Sequence, residues 1–188
     1  LTTVTHGINH QLGTFGKSHV LVLNGFDGEL FDFSKFRKKD SIFRIVYHGR
    51  FSRLHDIESL RKISLTIQGL NPTIEFLIIG PVPESFKKQK WGNVCFAGEK
   101  KRDEIPALLA TGSLGISIMK DMTSTKIAMP AKVYEYLGMG LPLVTAPSGE
   151  LNEFVKTEKI GLAFQSLNVL EIAEGIIALE KNNQRYSR

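Results

Sequence analysis

Apolar and polar positions follow two patterns from residue 41 onward. Short runs that are apolar throughout, rich in β-branched residues and close to a glycine predict buried strands. These runs are SIFRIVYHG, TIEFLIIG, NVCFAG, SLGISIM, LPLVTA and KIGLAF. Between them, apolar residues recur at helical spacing, as in HDIESLRKISLTIQG. The other predicted helices are RDEIPALLATG, MPAKVYEYLGMG, SGELNEFVKT and NVLEIAEGIIALEKN.

The alternation of such strands and helices predicts an α/β fold with a parallel sheet covered on both faces. Right-handed crossovers then give a doubly wound, Rossmann-like sheet. Ligands of such sheets bind beyond the carboxyl ends of the strands. The expected binding loops are therefore those that follow Tyr47, Ile79, Phe96, Met119 and Ala146.

The first forty residues have a different pattern. LTTVTH and HVLVLN predict strands around a short helix over residues 7–12, and NGFDG predicts a turn. The polar and basic DFSKFRKKD predicts a linker. We therefore divide the chain into a segment 1–31, a linker 32–41 and a main domain 42–188.

Composition narrows the class of protein. The 188 residues are 42% hydrophobic and 23% charged, which is typical of a globular domain. The single cysteine, Cys95, excludes an intramolecular disulfide and fits a reducing compartment. No apolar run approaches the ~18 residues of a membrane helix. The net charge of +5 favours an anionic partner: nucleotide phosphates, a membrane surface or nucleic acid.

The usual catalytic motifs are absent from the sequence. It contains no Walker A motif, no GxGxxG after the first strand, no HExxH, no GxSxG and no Cys/His metal spacing. His6 and His10 are four residues apart, but such a pair alone does not define a metal site. The sequence therefore gives no motif that would indicate a hydrolase, a kinase or a dehydrogenase. We also expect no bound metal.

Gly49 and Arg50 end the first buried strand of the main domain. Glycine allows a ligand to approach the backbone, and the planar guanidinium of arginine binds phosphate oxygens. The alternative is an ordinary surface arginine in a turn.

Lys132 and Glu135 lie on one face of the helix predicted over Pro130–Met139. A glutamate there could accept hydrogen bonds from a ribose diol, with the lysine beside a phosphate at the helix N-terminus. The alternative is a solvated ion pair between residues three apart.

Two further loops carry weaker signals. Gly98 to Ile105 follows a buried strand and could frame a base pocket, or be a plain strand–helix loop. Ser148-Gly149-Glu150 opens another helix at the end of a strand, where the alternative is an N-cap.

In this order, these features resemble the C-terminal, donor-binding domain of GT-B glycosyltransferases of the family 4 type. VLNGFDGELF resembles the turn at which that family crosses between its two domains, RIVYHGRF its first strand with Gly-Arg, and EFLIIG its second strand. VCFAG with EIPALLATGSLGISIM resembles the strand–helix–strand at the base pocket. The most specific part, AMPAKVYEYLGMGLPLVTAPSGELNEFV, is similar to the variant motif P-x-K-x-x-E-Y-L-x-x-G-x-P.

The resemblance implies catalytic roles for Arg50, Lys132 and Glu135. Arg50, next to Gly49, would contact the donor diphosphate, and Glu135 would bond the nucleotide ribose. The amides around Ala131 and Lys132 would face the β-phosphate and the sugar.

Gly98 and Ile105 would border the base pocket.

Two positions depart from the family pattern. Ile127 occupies the place of the first glutamate of the E-x7-E motif, which ends at Glu135, and His55 occupies that of a lysine five residues after the arginine.

The resemblance further implies a retaining hexosyltransferase that uses a UDP- or GDP-linked sugar, without metal or other cofactor. The acceptor would be a glycan or a lipid-linked glycan of polysaccharide or cell-envelope biosynthesis. The enzyme would be cytoplasmic, or bound peripherally to the cytoplasmic face of the membrane through its basic clusters. Segment 1–31 would be the last strand–helix–strand of a missing N-terminal domain, so the 188-residue chain alone would be inactive.

Other functions stay open at this stage. One is a non-catalytic nucleotide-binding module, which Ile127 makes plausible; another is a GT-B epimerase or phosphorylase. Nucleic acid is not expected as a partner, because Trp91 and the scattered phenylalanines do not interleave with the basic clusters as a stacking platform.

Overall fold

A computed structural model describes residues 2–13, 16, 20–36 and 41–182. The elements in chain order are β1 (Thr2–Thr3), α1 (His6–Gly13), β2 (Val20–Leu21), a 3-10 turn (Phe33–Lys35), β3 (Arg44–His48), α2 (Ile57–Leu70), β4 (Glu75–Ile79), α3 (Glu84–Lys87), β5 (Val94–Gly98), a 3-10 turn (Arg102–Glu104), α4 (Ile105–Leu109), β6 (Leu114–Ile118), α5 (Thr123–Lys126), α6 (Lys132–Gly138), β7 (Leu143–Ala146), α7 (Glu150–Glu158), β8 (Gly161–Ala163) and α8 (Val169–Lys181). Part of the predicted linker, residues 37–40, lies outside the described residues, as does His19 at the start of HVLVLN.

The predicted α/β fold is confirmed. Six strands form one parallel sheet in the order β5-β4-β3-β6-β7-β8, so the chain winds outward from the centre in both directions. The central strands β3 and β6 pair only at Ile45 and Val46, whereas β3 pairs with β4 as far as His48. The sheet therefore opens between the carboxyl ends of β3 and β6, where a doubly wound fold binds its ligand.

Two apolar cores cover the two faces of this sheet. On one face, α2 and α8 pack against β3 through residues such as Ile63 and Ile176, which have no exposed surface. On the other, α4, α6 and α7 pack through residues such as Val133. Because side chains alternate along β3, Val46 points to the core of α6 and Tyr47 to the opposite one. Helix α6 is thereby fixed beside the opening of the sheet.

Segment 2–36 begins with the predicted strand–helix–strand, although each strand has only two residues. β1 and β2 form a separate parallel pair, and Val20 is 61% exposed, so little packing supports longer strands. The segment then contacts the main domain. The Asn24 side chain donates a hydrogen bond to the Met129 carbonyl (3.0 Å), and a Cβ on Gly138 would collide with the Phe26 ring.

Most differences from the sequence-based elements are at their ends. Helix α6 begins at Lys132 rather than Pro130, and a 3-10 turn precedes α4. The sequence pattern missed the four-residue helices α3 and α5, which are too short for an apolar stripe. Within the described part of the chain, no helix is long and apolar enough to cross a membrane.

Candidate functional site

Three glycines line the carboxyl edge of the sheet at the ends of β3, β4 and β5. Gly49, Gly80 and Gly98 have φ angles of +111°, +128° and +72°. The amide of Gly49 donates to the carbonyl of Ile79 (2.9 Å), and that of Gly80 to the carbonyl of Gly98 (2.8 Å). A Cβ on Gly80 would lie 2.5 Å from the Gly49 oxygen. Because glycine has no side chain, a ligand can approach the backbone closely along this edge.

Tyr136 fixes α6 to the end of β3. Its hydroxyl accepts a hydrogen bond from the His48 amide (2.8 Å), at the point where β6 no longer pairs with β3. The buried ring packs against Gly115 of β6, where a Cβ would lie 2.7 Å from it. Burial raises the pKa of the Tyr136 hydroxyl, which therefore stays protonated. Helix α6 is consequently held in place over the opening.

Glu135, one residue before Tyr136, is 7% exposed and faces the opening. One carboxylate oxygen lies 3.2 Å from Nη1 of Arg102, a side chain that is 60% exposed. The other lies 2.8 Å from Nε2 of His48, at ion-pair distance but without the alignment of a hydrogen bond. The carboxylate therefore lies against the buried His48 on one side. On its other side it contacts the exposed Arg102, which a ligand could displace.

Lys132 lies on the same side of α6 and is also buried. Its Nζ is 3.1 Å from Nε2 of His55 and 4.0 Å from the centre of the Tyr47 ring. That ring stacks on Phe51, with 4.3 Å between the centroids. A Cβ on Gly49 would lie 3.4 Å from Nζ, so the amine reaches the backbone at the end of β3.

Burial dominates the electrostatics of this amine. It lowers the pKa of Lys132 from 10.5 to about 7, although Glu135 acts in the opposite direction. Burial, followed by the charge of Lys132, lowers the pKa of His55 from 6.5 to about 4. Burial also raises the pKa of Tyr47, whose hydroxyl has no hydrogen-bond partner among the described residues. An anion in the opening would favour the charged form of Lys132.

The loop that carries His55 is attached to the end of β6. An isolated antiparallel bridge joins His55 to Met119, and the Asp56 amide donates to the Ile118 carbonyl (3.1 Å). The amide of Ser52 also donates a hydrogen bond to Nδ1 of the imidazole. Its ring is consequently held against Lys132 from the other side of the opening.

Of the residues predicted from the sequence, Gly49, Lys132 and Glu135 come together at the opening. The side chains of Lys132 and Glu135 are both buried, and Lys132 contacts His55. The alternative interpretation, a solvated ion pair between them, is therefore wrong.

Arg50 lies at the edge of the site and touches none of these groups closely. Its side chain is 77% exposed, and its Nη2 is 3.7 Å from Glu99. Gly98 ends β5 and Ile105 begins α4, so these two residues are joined by one loop at the same edge of the sheet.

Ala131 is exposed directly before α6. The next amides are already bonded: Val133 donates to Pro130 (3.1 Å) and Tyr134 to Ala131 (3.1 Å). The amides left to meet a ligand at this turn are therefore those of Ala131 and Lys132.

Glu150 bonds the N-terminal segment instead of acting as a helix cap. Its two oxygens accept hydrogen bonds from the amides of His6 and Gly7, both at 2.7 Å. Gly7 also packs on Ile127, the residue that departs from the family motif. Gly149 precedes α7, and none of the described side chains caps that helix.

Sequence reasoning missed His48, Tyr47, Tyr136 and Arg102. Tyr47 and His48 lie in RIVYHGRF and Tyr136 in the P-x-K-x-x-E-Y-L motif, but each of the four acts through a contact with a residue distant in sequence. Among the described residues, no group of three or more His, Cys, Asp or Glu could hold a metal ion.

The fold is that of GT-B glycosyltransferases. HepE from Anabaena, solved with UDP and glucose, superposes with a TM-score of 0.74 at 17% identity, over 98% of this chain and 54% of that chain. TarM, which occurs in S. aureus, gives a TM-score of 0.77 at 15% identity, over 98% and 37% of the two chains. WaaG, a glycosyltransferase involved in lipopolysaccharide biosynthesis, gives 0.77 at 12% identity, over 98% and 54%.

Residues 42–182 match the family model of the glycosyl transferases group 1, and the chain belongs to this family. The curated UDP-glycosyltransferase TURAN of Arabidopsis thaliana is 29% identical over 117 residues, which is 58% of this chain and 24% of that protein. The chain thus spans about a quarter of this curated relative and about half of HepE.

Proposed function

We propose that this chain is the donor-binding part of a retaining glycosyltransferase that uses a nucleoside diphosphate sugar. One observation carries the proposal: Lys132 and Glu135 are buried side by side where β3 and β6 separate, facing bare backbone at Gly49. A buried amine, which an anion would convert to its charged form, and a buried carboxylate next to each other suit a ligand that has both phosphates and hydroxyls.

The diphosphate would lie against Gly49, between Lys132 and Arg50. Departure of a nucleoside diphosphate develops negative charge on its phosphate oxygens. A fixed cation in a site shielded from water stabilises such charge strongly, and the exposed Arg50 is free to close over the phosphates. The free amides of Ala131 and Lys132 would face the β-phosphate and the sugar.

The nucleoside would lie toward Glu135 and the β5–α4 loop. A ribose diol can donate two hydrogen bonds to the Glu135 carboxylate and replace the contact with the exposed Arg102. Gly98 and Ile105 would then border the base, and backbone groups there would form hydrogen bonds with its edge. A plain strand–helix loop at these two residues remains the alternative interpretation.

The donor would be UDP- or GDP-linked and the transferred group a hexose. The UDP bound to HepE and the name of the curated relative favour uridine. Arg50 and Lys132 would neutralise the leaving group, so we expect turnover without a metal or another cofactor.

The acceptor would be a glycan or a lipid-linked glycan of polysaccharide or cell-envelope biosynthesis. WaaG, which has the same fold, is involved in lipopolysaccharide biosynthesis. We place the enzyme in the cytoplasm, at the inner face of the membrane, with residues 1–31 as the end of an N-terminal domain. Because that domain would bind the acceptor, we expect the 188-residue chain to bind donor nucleotide without transferring sugar.

A thermal-shift panel with UDP, GDP, UDP-glucose, GDP-mannose and ATP tests this proposal. A ligand present at 100 times its Kd adds ~2.7 kcal/mol to the free energy of unfolding. We expect stabilisation by one nucleoside diphosphate and its sugar, and its loss in Glu135→Gln. Equal stabilisation by all five ligands, or by none, would contradict the proposal.

Ile127 favours one other function, a nucleotide-binding module without transferase activity. Its side chain packs on Gly7 in the place where the family motif has a glutamate. The longer protein, assayed with donor and a panel of glycan acceptors, separates the two functions. Transfer with retained anomeric configuration supports the enzyme, and tight donor binding without turnover supports the module. Interconversion of free sugar nucleotides would instead indicate an epimerase, and sugar phosphate formation a phosphorylase.

A further inference from the structure

The hydrogen bonds around His55 determine which of its ring nitrogens is protonated. The backbone amide of Ser52 donates to Nδ1 at 3.2 Å, and the Ser52 hydroxyl lies 3.0 Å from the same atom. A backbone N–H can only donate, so Nδ1 is an acceptor and has no proton. In the neutral imidazole the proton must then be on Nε2.

This tautomer constrains Lys132. Nε2–H points to Lys132 Nζ at 3.1 Å. An ammonium has three donors and no acceptor, so two donors would face each other if Lys132 were charged. A neutral amine has a lone pair and accepts the hydrogen bond. The geometry alone therefore indicates a neutral lysine in the empty site.

Two neighbours of Lys132 favour its charged form, and burial opposes them. Tyr47 presents its ring face to the amine, which attracts a cation, and keeps its own hydroxyl protonated. Among the described residues, Glu135 is the one carboxylate that acts on Lys132, and its oxygens lie against Arg102 and His48. Burial lowers the pKa of Lys132 to about 7, in agreement with the hydrogen-bond pattern.

We propose that His55 is a positioning residue of the donor site: it holds Lys132 as a neutral amine in the empty site, and Lys132 takes up one proton from solvent when the diphosphate binds. The amine becomes an ammonium, leaves the contact with Nε2–H and donates to phosphate oxygens. This inference rests on the proposed function of the site.

Proton uptake on binding is measurable by calorimetry. UDP-glucose is the probe, because both of its phosphates are esterified and neither titrates between pH 6 and 9. Its binding enthalpy is measured at pH 8.0 in Tris and in HEPES, since phosphate buffer would compete for the site. The difference gives the number of protons taken up, and we expect most of one proton at pH 8.0 and much less at pH 6.0.

His55→Gln tests the role of the imidazole. The amide oxygen of glutamine can accept a hydrogen bond from a charged Lys132, so uptake at pH 8.0 should fall below half of the wild-type value. His10→Gln, at an exposed histidine of α1, is the matched control and should leave uptake unchanged. Unchanged uptake in His55→Gln would overturn the role of His55, and absence of uptake in the wild type would overturn the neutral lysine.

A second measurement needs neither ligand nor variant. Long-range 1H–15N spectra distinguish the two tautomers of histidine, and we expect protonated Nε2 and unprotonated Nδ1 for His55 at pH 8.0. Protonated Nδ1 would overturn the inference even if UDP-glucose binds. Conversely, failure of every nucleotide to bind, with the expected tautomer present, would overturn the proposed function and the proton uptake together.

Discussion

The carboxylate of Glu135 lies 2.8 Å from the Nε2 of His48, across the opening between β3 and β6. His48 also donates its amide to Tyr136, the residue that follows Glu135. One residue at the end of β3 thus contacts two consecutive residues of α6. Because both contacts are buried, the end of β3 helps to place the Glu135 carboxylate beside the opening.

Glu135→Gln should weaken the binding of UDP by ~1.5–3 kcal/mol, which is the range for hydrogen bonds to a charged group. The amide keeps the shape of the side chain, but it can accept through only one of its two terminal atoms. Calorimetry measures the change in Kd. Glu174→Gln, at an exposed residue of α8, is the control and should leave Kd unchanged. An affinity within twofold of the wild type would remove Glu135 from the nucleotide site.

Arg50→Ala should weaken the binding of nucleoside diphosphates by ~1.5–3 kcal/mol without lowering Tm. Its side chain is 77% exposed and its ion-pair partner, Glu99, is 3.7 Å away, so little folding energy depends on it. Arg53→Ala is the matched control, because Arg53 is an exposed arginine in the same loop. Equal losses of affinity in both variants would mean that Arg50 acts only through the net charge of the loop.

The strands of the main sheet could be predicted because burial dictates their composition. β3, β4, β6 and β7 are central strands covered by helices on both faces, and each has a run of buried apolar residues. The edge strand β5 was also found, although Cys95 in it is exposed. The short α5 could not be predicted, because a hydroxyl bonding nearby carbonyls holds it: Thr125 contacts those of Lys120 and Met122.

Only part of the candidate site could be predicted from the sequence. Lys132 and Glu135 belong to one short motif, so the resemblance to the family indicates both of them. His55 could be noted only as a departure from the family pattern, and its contact with Lys132 spans 77 positions of sequence. Such a pairing depends on the order of the strands, because β6 must lie beside β3 before the loop after β3 can face α6.

Gly80→Ala should lower the free energy of unfolding by ~1–3 kcal/mol. The φ of +128° is strained for alanine, and its Cβ would lie 2.5 Å from the Gly49 oxygen. Displacement of Gly49 should also weaken the binding of UDP. Urea unfolding and calorimetry measure the two effects.

Gly69→Ala is the matched control for Gly80→Ala. Gly69 lies in α2, and no described atom is within 4 Å of a Cβ placed there, so alanine should stabilise the protein by ~0.5–1 kcal/mol. If Gly80→Ala were as stable as the wild type, the backbone at the ends of β3 and β4 could move to make room for a Cβ. The close contact between Gly49 and Gly80 would then not constrain these strand ends.

The lowered pKa of Lys132 makes the stability of the protein depend on pH. The pKa is about 7 in the folded chain and 10.5 as its ordinary value, so the unfolded chain binds more protons between these two pH values. The free energy of unfolding then rises with pH in this window, by ~1.4 kcal/mol per pH unit from this one group. The contribution is complete above the unfolded value and is lost as the pH falls to about 7.

Lys132→Met isolates this contribution, because methionine fills a similar volume and does not titrate. Urea unfolding at pH 7 and pH 9 should show a smaller rise in stability for the variant, by ~2–3 kcal/mol over the two pH units. At pH 7 and below the variant should be more stable than the wild type, which must bury an ammonium without a bound anion. Lys120→Met, at an exposed lysine that follows β6, should keep the wild-type dependence. Parallel pH profiles for wild type and Lys132→Met would show that Lys132 is charged in the empty site, and would contradict both the lowered pKa and the proton uptake on donor binding.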